Sequence, residues 1–227
     1  MLFDLRSRGR RSTVRVIYLF LALTMVVGLV GLGIGTGNTG GLLNAGTNSG
    51  TGGNGDQLAA KQVRQALEAV RKNPSAANWA NLLEARWTAA GSGSNYNQSK
   101  STYTASGLNE LHRAAAAWQK YLTASGYKPQ LQYAILAAGV YQNISQWSQA
   151  ATAWNYAAQA APPSEQLKPY LCLALSAYAA KQTTKGNLAA AKAVQLTPKL
   201  QRLTQKSTLQ SAAANASTAQ TYLQADC

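Results

Sequence analysis

Residues 131–164 read LQYAILAAGVYQNISQWSQAATAWNYAAQAAPPS, and this stretch decides the fold. Its apolar residues recur every three or four positions and do not alternate, which is the period of a helix and not of a half-buried strand. Pro129 precedes it, suited to a first helical turn, and a helix is expected from there to about Gln142. Asn143–Gln146 turns the chain. A second helix ends at Pro162-Pro163, because proline cannot donate to a continuing helical ladder. In that second helix Ala150, Trp154 and Ala157 share one face. Small residues let two helix backbones approach, and the large one fills the space between neighbours.

Working outward, the period stays helical from Asp56 onward and strand signals are absent. Asp56 is an N-cap candidate, followed by an apolar stripe of Leu58, Val63, Ala66, Leu67 and Val70 up to Asn73-Pro74. Ser75–Ala90 is a second helix with Trp79, Leu82, Leu83 and Arg86 on one face. A polar loop, Gly91–Gly107, leads to a helix over Leu108–Ala124 closed by Ser125-Gly126. Beyond Pro163, helices are expected over Glu165–Ala180 and Leu188–Leu196, with a turn at Gln182–Asn187, and Thr197-Pro198 opens one long helix to the C-terminus. The small–large–small pattern returns as Ala117, Tyr121, Ala124 before Pro129 and as Gly186, Ala190, Ala193 before Pro198. The prolines at 129, 162 and 198 lie 33 and 36 residues apart. Helical pairs at a period near 34 imply a stack of hairpins. An irregular helical bundle is the competing architecture.

Residues 131–164 resemble a tetratricopeptide repeat, with Ala138, Tyr141, Ala150, Trp154, Ala157 and Pro162 in the matching slots. Ala134 stands where that family usually has Trp, and Ala138 replaces its usual Gly. Trp79 and Leu82 resemble the opening of an earlier repeat, ALEAVRKNP at 66–74 the close of a still earlier one, and AVQLTP at 193–198 another closing turn. The resemblance covers about residues 57–198. It implies an all-α, TPR-like α-solenoid of helical hairpins over 56–198, with residues 199–227 as a C-terminal capping helix. By the same resemblance the first helices line a concave groove at Gln132, Ile135, Gly139, Gln142 and Asn143, and in the earlier repeat at Glu84 and Trp87. The work implied is scaffolding of a protein or peptide partner, without chemistry.

The N-terminus carries the membrane argument. Arg6, Arg8, Arg10, Arg11 and Arg15 lie in a basic tail, 1–15, opposed only by Asp4. Residues 16–34, VIYLFLALTMVVGLVGLGI, contain no charge. As a helix they span about 28 Å, close to the thickness of a hydrocarbon core. A buried core helix would show a polar stripe. A cleaved signal peptide is the competing reading, although a typical signal core runs to about 7–15 residues. The next base after the run is Lys61, so the arginines are expected to stay in the cytoplasm and the rest of the chain to cross the plasma membrane. Residues 35–55 hold nine glycines among Asn, Thr and Ser and are expected to be a flexible linker.

Nothing in the sequence points to a reaction. No two acidic residues past the linker lie within four positions, which leaves no local carboxylate pair. One histidine, His112, and two cysteines are too few for a structural zinc site, so no metal or cofactor is expected. Cys172 lies in the apolar run YLCLAL and is expected to be a small packed residue, while the terminal Cys227 is expected to be mobile and available for an intermolecular disulfide. From Asp56 onward 16 Lys and Arg face 6 acids, net +10. These bases are spread singly, as on a solvated surface. Their functional reading is attraction to anionic lipid headgroups or envelope polymers. The aromatic residues fall at helix-packing positions and not on a basic platform, which argues against nucleic acid. Alkaline carbonate is expected to leave the full-length chain in vesicles, and protease outside intact protoplasts to digest its C-terminal part. Extraction by carbonate, or a protected C-terminal part, overturns the anchor.

Overall fold

The structure, a computed structural model, describes residues 54–227; the basic tail, the apolar run 16–34 and nearly all of the 35–55 linker lie outside the described residues. Among the described residues no helix is long and apolar enough to cross a membrane. They form an all-α chain apart from one tiny hairpin. The elements are α1 (Asn54–Lys72), α2 (Ala76–Ala90), β1 (Tyr96–Asn97), β2 (Thr102–Tyr103), α3 (Ala105–Ala124), α4 (Leu131–Asn143), α5 (Trp147–Ala160), α6 (Leu167–Ala179), α7 (Thr183–Leu196), α8 (Arg202–Ala214) and α9 (Ala216–Asp226). Consecutive helices pack as hairpins α2–α3, α4–α5 and α6–α7, with α1 on α2 and α5 on α6.

The recurrence is 36 residues in the second and third hairpins. Helices α4 and α6 are each 13 residues long and begin at Leu131 and Leu167, while α5 and α7 are each 14 long and begin at Trp147 and Thr183. Each hairpin turns through a non-glycine residue in the left-handed region, Ser145 (φ 56°) and Lys181 (φ 59°). In each the next residue's N–H donates back across the turn at 2.8 Å, Gln146 to the Tyr141 carbonyl and Gln182 to the Ala177 carbonyl. Each ends in an extended residue, Ala161 or Thr197, before a proline and a short 3-10 turn. Gln182 Nε2 donates to Ser148 Oγ at 2.6 Å, tying the second of these turns to the start of α5.

Alanine lines the helix contacts. Ala134, Ala137, Ala138, Ala150, Ala157, Ala174, Ala177 and Ala193 are fully buried, with Trp118 and Trp154 as the large wedges among them. Ala117, Tyr121, Tyr141 and Leu82 are buried too, and Trp79 packs partly buried against the same core. Ala124 and Pro162 were expected to pack and instead lie on the surface: Ala124 ends α3, and Pro162 caps the 3-10 turn that follows α5. Ala190 takes the place of Trp154 one period on. Tyr178 lies against Gly186, where an added Cβ would fall 2.4 Å from its ring, and its hydroxyl donates to Asn187 Oδ1 at 2.9 Å.

Several local expectations are corrected. Leu58, placed in the buried stripe, is 57% exposed, and Ala59 points inward instead. Helix α1 already runs at Asn54, and the Asp56 carboxylate accepts from the Ser94 N–H rather than capping its own helix. The loop after α2 contains strands: Tyr96 and Asn97 pair antiparallel with Tyr103 and Thr102, and the two tyrosine rings meet edge-on at 5.1 Å. That loop holds its shape because Thr104 caps α3 through the Gly107 N–H and its own hydroxyl donates to the Asn95 carbonyl. Helix α4 starts at Leu131, two residues after Pro129, with Gln130 as its N-cap. Gly186 and Asn187, read as turn, lie inside α7. The expected long C-terminal helix breaks at Asn215, whose extended backbone and side chain cap a separate α9 through the Ser217 N–H.

The cysteines are the largest correction. Cys227 is neither mobile nor left for another chain: it is bonded to Cys172 of α6, with their Cα atoms 5.8 Å apart. Fifty-five residues separate the pair in sequence, so no local spacing announced it. Trp154→Ala is expected to cost about 3–5 kcal/mol. The check is a lower urea midpoint at unchanged slope, with the exposed His112→Ala as a near-neutral control.

Candidate functional site

The residues expected to line a groove lie on α2 and α4, which touch directly. On α4 Gln132 and Asn143 are exposed, Ile135 is 39% exposed, and Gly139 and Gln142 are half-buried. On α2 Glu84 and Trp87 are half-buried. The structure brings Trp87 and Gly139 together: Trp87 Cη2 lies 3.6 Å from where a Cβ on Gly139 would stand. A Cβ at that distance would make ordinary van der Waals contact, so the indole stands beside Gly139 and an alanine would fit there without a clash.

Polar groups on this face differ in how far they are engaged. Asn143 Nδ2 donates to the Gly139 carbonyl at 2.8 Å and is occupied by its own helix. Gln142 Nε2 is out of reach of solvent and donates to no acceptor among the described residues. Burial pushes the Glu84 carboxyl above the usual carboxylate range. Burial also raises the Tyr133 hydroxyl, and the Glu84 charge adds to it, which puts Tyr133 beside the site although no sequence pattern marked it. Glu84 makes no ion pair among the described residues, where the salt bridges join Glu110 to Arg86 and Arg113. The face is therefore neutral except for one partly desolvated carboxyl.

A concavity of about 430 Å³ opens between α1, α2 and the 3-10 turn at Gly93–Asn95. Ala59, Val63 and Leu67 line it, with Arg86 and Glu110 at its edge. Arg86 Nη1 reaches Glu110 Oε2 at 2.6 Å with both side chains nearly buried, so these charges satisfy each other. Elsewhere His112 is exposed on α3, and no group of three His, Cys, Asp or Glu able to hold a metal occurs among the described residues. At the corner between α7 and α8, Leu200 is 98% and Leu203 83% exposed, interleaved with exposed Lys199, Arg202 and Lys206. The Arg202 guanidinium caps α7 by donating to the Thr197 and Gln195 carbonyls at 2.9 and 3.0 Å. These two leucines keep the i, i+3 spacing of a helix's apolar face, yet both are exposed.

No protein-family model matches the chain, and no curated protein or solved structure is similar to it.

Burial disfavours the ionised Glu84, so the folded chain holds that proton to higher pH than the unfolded chain does. Stability from this group therefore falls as pH rises through its raised folded value. Glu84→Gln is expected to raise Tm at neutral pH, and the gain to vanish below about pH 4, where both states are protonated. Thermal melts across that range check it.

Proposed function

We propose that the chain is a single-pass protein of the plasma membrane, anchored by residues 16–34 with its N-terminus in the cytoplasm, whose helical domain lies outside in the cell envelope. We read that domain as a TPR-like scaffold that binds a protein or peptide partner, and not as an enzyme. The observation that carries the binding reading is the face of α4 beside α2, where Trp87 stands half-buried beside Gly139 and Ile135 is exposed. The 36-residue recurrence of the hairpins supports a solenoid, because stacked repeats hold their first helices side by side. The exposed Gln132 amide on this face suits a partner's main-chain groups. The Cys172–Cys227 disulfide supports the compartment, since the cytosol keeps such thiols reduced.

A second reading is electrostatic attachment to anionic envelope polymers or lipid headgroups. The α7–α8 corner favours it, with two exposed leucines set among three bases.

The two readings separate in one experiment on the full-length protein in membranes. A photoreactive residue at position 135 is expected to capture a discrete partner, and Trp87→Ala or an added charge beside it at Gln132→Glu to cut the yield at least about tenfold, with little change at about 0.5 M salt. Capture that collapses with salt and with Lys199→Ala and Lys206→Ala, yet ignores Trp87, supports the electrostatic role and sinks the groove.

A further inference from the structure

Helix α9 is the least self-sufficient element of the described chain. It has 11 residues, fewer than the roughly 12–15 that an isolated helix needs even with favourable sequence. Only Ala219 and Leu223 of it are buried, and α8, which leads into it, buries only Leu209 and Ala212. Yet α9 packs along α6, and its end is fastened there, because Cys227 directly follows it and is bonded to Cys172. The helix is held at Asn215 by the chain and at its other end by the disulfide.

What lies beneath is informative. Thirty-six residues separate the equivalent positions of α4 and α6, so Ile135 and Gly139 correspond to Leu171 and Leu175. Ile135 is 39% exposed and Gly139 half-buried, whereas Leu171 is half-buried against the core and Leu175 fully buried. From Cys172 to Ala179 every residue of α6 is buried, and among the described helices α9 packs on α6 but has no counterpart on α4. The cover is apolar and small; the bond is what ties it down.

We infer that the Cys172–Cys227 disulfide is a redox latch that keeps α9 across α6, and that its reduction frees α9 and uncovers an apolar face continuing the α2–α4 groove. The functional consequence rests on the groove reading above; the opening itself does not. The sulfur open to attack belongs to Cys227, which is half-buried, while Cys172 is sealed. A thiolate of a dithiol reductant bonds to Cys227 Sγ as the Cys172–Cys227 bond breaks, and Cys172 leaves as a thiolate that takes up a proton. The reductant's second thiol then displaces Cys227, which is protonated in turn. The pair gains two electrons and two protons, and the reductant departs as its own disulfide. A disulfide-carrying oxidant reverses the sequence.

Hydrogen exchange on the full-length protein in nanodiscs tests this, comparing the oxidised form, the form reduced with dithiothreitol, and Cys227→Ser. Amides of residues 216–226 are expected to lose protection at least about tenfold in both latter forms, while those of α2–α5 keep theirs. Cys172 is expected to become alkylated quickly after reduction, and in Cys227→Ser without any reductant. Protection of α9 that survives reduction overturns the latch, as does a Cys172 that stays unreactive. Loss of protection throughout α2–α7 overturns it as well, since the bond would then hold the whole fold. Failure of partner capture at position 135 in the oxidised protein would instead count against the groove, so the two failures are distinguishable.

Discussion

Helices α3 to α7 meet through alanine. A methyl group is the smallest side chain that still excludes water from a helix contact, and a row of methyls lets two backbones approach more closely than leucine would. The burial of Ala134, Ala137, Ala138, Ala150 and Ala157 turns that geometry into a core. It also carries a constraint. Such interfaces bury little apolar area per residue, so cohesion is concentrated in the few large side chains set among the methyls, Trp118, Trp154, Leu83, Leu111 and Leu175. The hairpin turns, the spacing of the first helices and the face of α4 all follow from how closely those methyl-lined surfaces stack.

The second and third hairpins show how one backbone plan accepts different fillings. Trp154 occupies its slot directly. One period later the slot holds Ala190, while Tyr178 packs against Gly186, the equivalent of Ala150. The tyrosine has itself moved one place along its helix, from the position of Tyr141 in α4 to a neighbour in α6. The backbone plan recurs where residue identity does not, as expected of cores that tolerate changes in which side chains pack them.

This recurrence of plan without recurrence of residues bears on what was legible in the sequence and what was not. The helical period, the hairpin spacing and the buried Trp154, Tyr121 and Tyr141 could be read because each is a local pattern of size and polarity. The face shared by Trp87 and Gly139 was reachable only through a repeat register, since 52 residues separate the two positions. The strand pair at 96–103 escaped because two-residue strands have no periodicity to detect. The break at Asn215 escaped for a different reason: its neighbours are good helix formers, and a single capping asparagine outweighs them. The Cys172–Cys227 bond escaped because a covalent contact between the end of the chain and an internal helix leaves no trace in local spacing. Tyr133 was missed since its place beside Glu84 depends on how two helices cross.

Trp87 has one more property by virtue of where it sits. Trp118 and Trp154 are sealed inside the domain, whereas the Trp87 ring is half-buried on the face of α4. Its emission wavelength and its access to a dissolved quencher are set by whatever covers that shelf. Trp79 and Trp147 are half-buried as well, so the share of emission that Trp87→Phe removes is the part that reports on this shelf.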